Sequence, residues 1–253
     1  HQVSIINQVN SSIPNTYTIT YYVTYNSSTY VQTRSVIVQD NTVPTITSGS
    51  TGNNLDENTG AGQLVYTIIA SDNGSISNYA IGGTDSYLLT LNSGNGQVTL
   101  NANPSYAVKN SYSFTARATD TAGNVSNPKT VTFSINDTTN PAIVSGSTGT
   151  NIDEGTGAGQ VVYTIVATDN ASVSSYAIGG TDAHLLSVNS GSGVVTLNAN
   201  PVYITKNSYS FTATATDTTG NVSNAKTVTF SINDKTKPTI TSGATGTNLD
   251  EGT

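Results

Sequence analysis

Apolar side chains recur at every second position through short runs of this chain. Tyr112, Phe114, Ala116 and Ala118 alternate with Ser113, Thr115 and Arg117, and Val131, Phe133 and Ile135 alternate with Thr and Ser. A period of two sends successive side chains to opposite faces of a pleated strand, so each run predicts a strand with one face in a core. Both patterns return at Tyr209, Phe211, Ala213 and Ala215 and at Val228, Phe230 and Ile232. Shorter runs at 64–70, 78–81, 88–91 and 97–100 are separated by the turn pairs Asn73-Gly74, Asn95-Gly96 and Gly123-Asn124. About seven short strands in one unit predict an antiparallel sandwich.

The unit is set by a repeat. Segments PTITSGSTGNNLDENTGAG (44–62), PAIVSGSTGTNIDEGTGAG (141–159) and PTITSGATGTNLDEGT (238–253) begin 97 residues apart each time. Periods of about 20–50 residues build solenoids, whereas one this long is a whole domain with its own core. The expected organisation is therefore all-β, tandem Greek-key sandwiches strung as beads: 44–140, 141–237, and the opening strand of a third repeat at 238–253. Residues 1–43 stand apart, with about three strands, one of them the alternation Tyr17, Ile19, Tyr21, Val23 and Tyr25. TYTITYYVTYNSSTYVQTRSVIVQD resembles the closing strands of a bacterial immunoglobulin-like repeat. Three strands cannot bury two faces, so the chain reads as a window onto a longer protein, or as one whose ends pair between copies.

Composition narrows the chemistry. A net charge of −7 with only 8 Lys and Arg excludes a phosphate-binding surface, and so nucleic acid. The absence of Cys removes disulfides and thiolate sites, leaving an oxygen-ligated metal as a candidate cross-link. No apolar run approaches the roughly 20 residues of a membrane span, and a chain that starts at His1 without a signal-peptide pattern is expected to be a mature piece or a cut-out window. The two histidines, His1 and His184, have no repeat partner, and no serine sits in a Gly-x-Ser-x-Gly elbow, so the chain does not read as an enzyme. Tyr79, Tyr87, Tyr106 and Tyr203 leave open a sugar-binding sandwich as the alternative.

Read in order, each bead resembles a cadherin repeat. Glu57-Asn58 stands where that family has Pro-Glu-Asn, Ala70-Ser71-Asp72 where it has Ala-x-Asp, and Gly96-Gln97-Val98 where it has Gly-x-Ile. Ser111-Tyr112-Ser113-Phe114-Thr115-Ala116-Arg117-Ala118-Thr119-Asp120 matches Ser-Tyr-x-Leu-x-Val-x-Ala-x-Asp, and Ile135-Asn136-Asp137 leads to Pro141 as the family's linker does. The resemblance implies calcium at the domain junctions. Carried over, it assigns Glu57, Asp137, Asp169 and Asp217 to the central junction, Asp40, Asp72 and Asp120 to the preceding one, and Glu154 and Asp234 to the following one. Both acids of Leu-Asp-x-Glu are replaced in Pro104-Ser105-Tyr106-Ala107 and Pro201-Val202-Tyr203-Ile204, and Gly74 and Ala171 replace the second acid of Asp-x-Asp. About one ion per junction is then expected, with turn-capping by the same aspartates as the competing reading.

The resemblance further implies an extracellular or cell-surface structural protein, of bacterial kind: an adhesin stalk, a biofilm matrix element or a filament subunit. Its partners would be neighbouring repeats and, through fibre growth or homotypic adhesion, other copies of itself.

Overall fold

Asn26 and Ser27 both adopt positive φ, 47° and 61°, the combination of a type I′ turn, whose twist matches that of paired strands. They join Asn15–Tyr25 to Ser28–Val38, and with Gln2–Ile6 these form a three-stranded antiparallel sheet. This computed structural model describes residues 2–243, in two units that divide between Thr138 and Thr139. In the three-stranded sheet Ile5 lies opposite Tyr21 and Val3 opposite Val23, so the apolar alternation shares one face. Among the described residues no second sheet covers it, and Val3 and Ile5 stay exposed.

The rest of the first unit is a sandwich. One sheet has the order Leu55–Asp56, Lys129–Asn136, Ser111–Asp120, Ile76–Gly82, and the other the order Leu64–Thr67, Gln97–Leu100, Leu89–Leu91. Thr45–Ile46 pairs separately with Ala70–Ser71. Phe114, Val131, Phe133, Val65, Val98 and Leu100 bury the inward positions. Each such side chain contributes about 1.5–3 kcal/mol when fully buried. Tyr112 stacks on Phe133 at 4.7 Å and Tyr66 meets Phe114 edge-on at 5.8 Å, both geometries that the ring quadrupole favours. One pairing departs from the antiparallel rule: Leu55–Asp56 runs parallel to Ile135 and Asn136. A two-residue contact is not closed by a hairpin, so its direction follows from where the chain crosses between sheets.

Two details fix the sandwich locally. Gly96 has φ of +74°, and a Cβ there would collide with the carbonyl oxygen of Ile68, so no other residue fits. Asp85 is buried and accepts the Ser113 N–H at 2.8 Å, while Lys109 Nζ lies 3.2 Å from its other oxygen and 5.1 Å over the Tyr112 ring. Burial pushes the Tyr112 phenol up.

The second unit repeats this plan. Ile152–Asp153, Lys226–Asn233, Ser208–Asp217 and Val173–Gly179 form one sheet, and Val161–Thr164, Val194–Leu197 and Leu186–Val188 the other. Its core is its own, built on Phe211, Phe230, Val162, Val195 and Leu197. Asp182, Lys206 and Tyr209 reproduce the ion pair and ring contact. The expected opening strand at 238–253 falls mostly outside the described residues. Within 238–243 there is no strand, and Ile240, the counterpart of buried Ile46, is 90% exposed.

Candidate metal centre

Asp120 ends the strand Ser111–Asp120 on its inward face and is 2% exposed. The Asp-Thr-Ala-Gly-Asn turn that follows folds back on it. Its Oδ1 accepts the N–H groups of Ala122 and Asn124, both at 2.8 Å, and its Oδ2 accepts Asn124 Nδ2 at 2.8 Å. Burial alone would raise its pKa. The hydrogen bonds from the Asn124 side chain and from the backbone of Asn124, Ala122 and Gly123 outweigh this and hold it below the ordinary aspartate value.

Asp72 follows the short strand Ala70–Ser71 and closes an Asx turn, its Oδ2 accepting the Gly74 N–H at 2.8 Å. Its Oδ1 is buried with no hydrogen-bond partner. Asp40 comes from the segment after Ser28–Val38, where its Oδ1 accepts the Thr42 N–H at 3.0 Å. Asn124 Nδ2 also reaches the main-chain oxygen of Asp40, at 3.1 Å. One carboxylate oxygen from each of Asp40, Asp72 and Asp120 lies within 4.8 Å of the others. Among the described residues the ion pairs are Lys109–Asp85, Lys206–Asp182 and Lys235–Asp153, so no basic side chain offsets these three acids.

Three ionised carboxylates brought this close repel one another unless a cation stands between them. The donor set is all oxygen, as Ca²⁺ requires. A buried carboxylate oxygen without a donor is costly to leave bare, and Asp72 Oδ1 is such an atom. Gly74 adds room, since a Cβ at that position would stand 2.9 Å from Asp40 Oδ2. On these grounds the residues fit calcium, and Asp40, Asp72 and Asp120 would hold it.

The second unit carries the same local geometry at Asp169 and Asp217. Asp169 Oδ2 accepts the Ala171 N–H at 2.9 Å and its Oδ1 is likewise buried without a hydrogen-bond partner. Asp217 Oδ1 accepts the N–H groups of Thr219, Gly220 and Asn221, and Asn221 Nδ2 donates to Oδ2 at 2.9 Å. Burial would raise Asp217 too, and the side chains of Asn221 and Thr219 with the backbone N–H groups bring it down. Asp137 is buried at the end of the first unit.

The two glutamates, assigned with the aspartates to the junctions, accept main-chain donors. Glu57 is 6% exposed, and its oxygens accept the N–H groups of Tyr106 and Thr138, each at 3.3 Å. Glu154 accepts the N–H of Tyr203 at 3.2 Å, of Lys235 at 2.9 Å and of Thr236 at 2.8 Å, together with the Thr236 hydroxyl at 2.6 Å. That hydroxyl first, and the Lys235 N–H next, lower Glu154 to about 2. Each glutamate thus ties down the backbone that leaves the last strand of its sandwich. Asp234 is exposed and accepts the Thr236 N–H at 2.9 Å. Asn124 is the residue that sequence reading missed, having taken it only as half of a turn pair. The Asp-x-x-x-Asn spacing, which recurs at Asp217 and Asn221, was its signal.

With this geometry in hand, solved structures share the architecture. A mouse cadherin-23 fragment, EC22-24, is 18% identical over 90% of this chain and 78% of its own, with a TM-score of 0.50. Human protocadherin-24 EC1-2 is 21% identical over 78% of this chain and 100% of its own, with a TM-score of 0.54. The fold is cadherin-like. Protocadherin gamma B2 domains 3-6 give a TM-score of 0.62 at 18% identity, over 90% of this chain and 60% of that one. At such identities the likeness is one of fold. No family model matches the sequence, and no curated protein matches it either.

Proposed function

We propose that this chain is a structural, adhesive extracellular repeat protein of bacterial origin, part of a stalk, matrix element or filament, whose junctions calcium stiffens. The observation that carries this reading is the convergence of Asp40, Asp72 and Asp120 without a basic counter-charge. Asp40 arrives from the segment after the three-stranded sheet, whereas Asp72 and Asp120 belong to the sandwich that follows. A cation shared by the three would fix the connecting segment to that sandwich. The 97-residue repeat makes Asp137, Asp169 and Asp217 the counterparts of the same three residues, which extends the reading to the next repeat. The cadherin-like fold supports a role in spanning distance, since each sandwich has a core of its own.

The exposed tyrosines do not favour the sugar-binding alternative. Tyr79 and Tyr106 pack against the core of the first unit, which leaves Tyr87 and Tyr203 exposed, a single one of the four in each unit. The test is small-angle scattering of the full chain with calcium and with chelator. A longer, narrower distance distribution in calcium is expected, and Asp120→Asn should remove the difference. Identical curves under both conditions would mean that the aspartates act as turn caps and carry no metal.

A further inference from the structure

The strand that opens each sandwich and the strand that closes it lie side by side and run in the same direction. In the first unit Thr51 bridges Thr132, and Leu55 and Asp56 pair with Ile135 and Asn136. The Gly52 N–H donates to the Thr132 carbonyl at 2.8 Å, the Thr132 N–H to the Ser50 carbonyl at 3.1 Å and the Glu57 N–H to the Asn136 carbonyl at 3.1 Å. Side chains fill in between: Asn54 Oδ1 accepts the Ser134 N–H at 2.9 Å, and Asn136 Nδ2 donates to Asp56 Oδ1 at 2.8 Å. The second unit repeats this arrangement. Thr148 bridges Thr229, Ile152 and Asp153 pair with Ile232 and Asn233, Asn151 Oδ1 accepts the Ser231 N–H at 2.9 Å, and Asn233 Nδ2 donates to Asp153 Oδ1 at 2.7 Å. The attachment in the first unit thus runs over residues 50–57 on one side and 132–136 on the other, well beyond the regular pairing of Leu55 and Asp56.

Direction decides how such a pair answers tension. A unit pulled by its two ends has its opening strand drawn toward that strand's N-terminal end and its closing strand toward that strand's C-terminal end. Where the two run parallel, these pulls oppose each other along the common axis. The strands then part only by sliding, which strains the evenly spaced bonds of a parallel ladder together. An antiparallel pair would be drawn apart from one end, and its bonds would break singly. We infer that residues 50–57 with 132–136, and 147–154 with 229–233, are tension-bearing clamps, and that transmitting pull along the chain is a function of each repeat in its own right. The inference rests on the stalk reading above for the direction of the load. It is independent of calcium, because the bonds named join protein groups to protein groups. Glu154 extends the second clamp, gripping the N–H groups of Lys235 and Thr236 just past the closing strand at 2.9 and 2.8 Å.

The experiment is force spectroscopy on the full chain, held by its two ends, in chelator. Each clamp should hold until its sandwich opens as a whole, releasing about 3.3–3.6 Å per residue of that repeat. Forced unfolding is governed by the unfolding rate. Asn151→Ala removes the acceptor of the Ser231 N–H, so it should speed one of the two repeat-sized openings at a given force by about tenfold, as the loss of one hydrogen bond from the strained set would. Asn54→Ala should do the same to the other opening. Ser187→Ala removes a side-chain bond to Asn198 Oδ1, 2.6 Å long, in the sheet that carries no clamp, and should leave both openings as they were. Circular dichroism shows whether each variant is folded at rest, and where one is not the other decides. A wild-type sandwich that opens in successive small steps from one edge overturns the inference. So do openings that Asn54→Ala and Asn151→Ala speed no more than Ser187→Ala does, and either result leaves the calcium reading in place. Resistance that appears only when calcium is added assigns the load to the cation and overturns the inference as well.

Discussion

Asn124 holds Asp40 by its main chain across 84 positions of sequence, donating its side-chain amide to the Asp40 carbonyl at 3.1 Å and to Asp120 Oδ2 at 2.8 Å. One amide therefore sets both the connecting segment and the buried carboxylate. Asn124→Ala removes both bonds while Asp120 keeps the Ala122 and Asn124 backbone donors. The sandwich should stay folded, and calcium affinity should fall on the order of tenfold, about the worth of one hydrogen bond to a charged group. Asn124→Asp keeps the size and turns the donor into a fourth acid. Its melting temperature should drop in chelator and recover in part with calcium, which differential scanning fluorimetry would read.

Separate cores make separate melting. Phe114 and Phe211 are both 1% exposed, one in each unit. Phe→Ala at such a site costs about 3–5 kcal/mol, a large part of the 5–15 kcal/mol that a domain has. Calorimetry of the full chain should show Phe114→Ala lowering one transition and Phe211→Ala the other. A fragment of residues 44–140 should fold alone with β-type circular dichroism. If either substitution lowers both transitions equally, the units share one core and the beads-on-a-string organisation is wrong.

The sandwich was legible because its inward rows obey the period of two. Tyr112, Phe114, Ala116 and Ala118 are all buried, as their alternation required, and the repeat carried that reading to Tyr209, Phe211, Ala213 and Ala215. The aspartates and glutamates were both named through their places in the cadherin-like motifs. What the motifs do not carry is the partners of Glu57 and Glu154, which accept backbone N–H groups 81 positions away, at Thr138 and Lys235. Backbone donors leave no mark in residue type. The parallel pairing of Leu55 with Ile135 and the Lys109–Asp85 tie were equally silent, since neither follows from a local turn or a period.

Acid should loosen the second unit through Glu154. Its folded pKa is about 2 against an ordinary 4.5, so folding favours the charged form. That contribution is complete above about pH 4.5 and disappears as pH falls from there toward 2. Asp153, Asp182 and Asp217 are also held low and act in the same direction. The transition assigned by Phe211→Ala should therefore move down on going from pH 6 to pH 3. Glu154→Gln should make that shift smaller while leaving the pH response of the other transition as it was. An unchanged shift in Glu154→Gln would show that the clamp on Lys235 and Thr236 contributes nothing.

The central claim is that a cation held by Asp40, Asp72 and Asp120 ties the connecting segment to its sandwich, and amide hydrogen exchange at residues 39–43 tests it most directly. The full chain is compared in chelator and in about 10 mM calcium, above the dissociation constants on the order of 10⁻⁴–10⁻³ M of extracellular calcium modules. Exchange in this segment, including the Thr42 amide that Asp40 accepts, should slow with calcium in the wild type and stay unchanged in Asp72→Asn. Equal exchange with and without calcium in the wild type, or the same slowing in Asp72→Asn, would contradict the account.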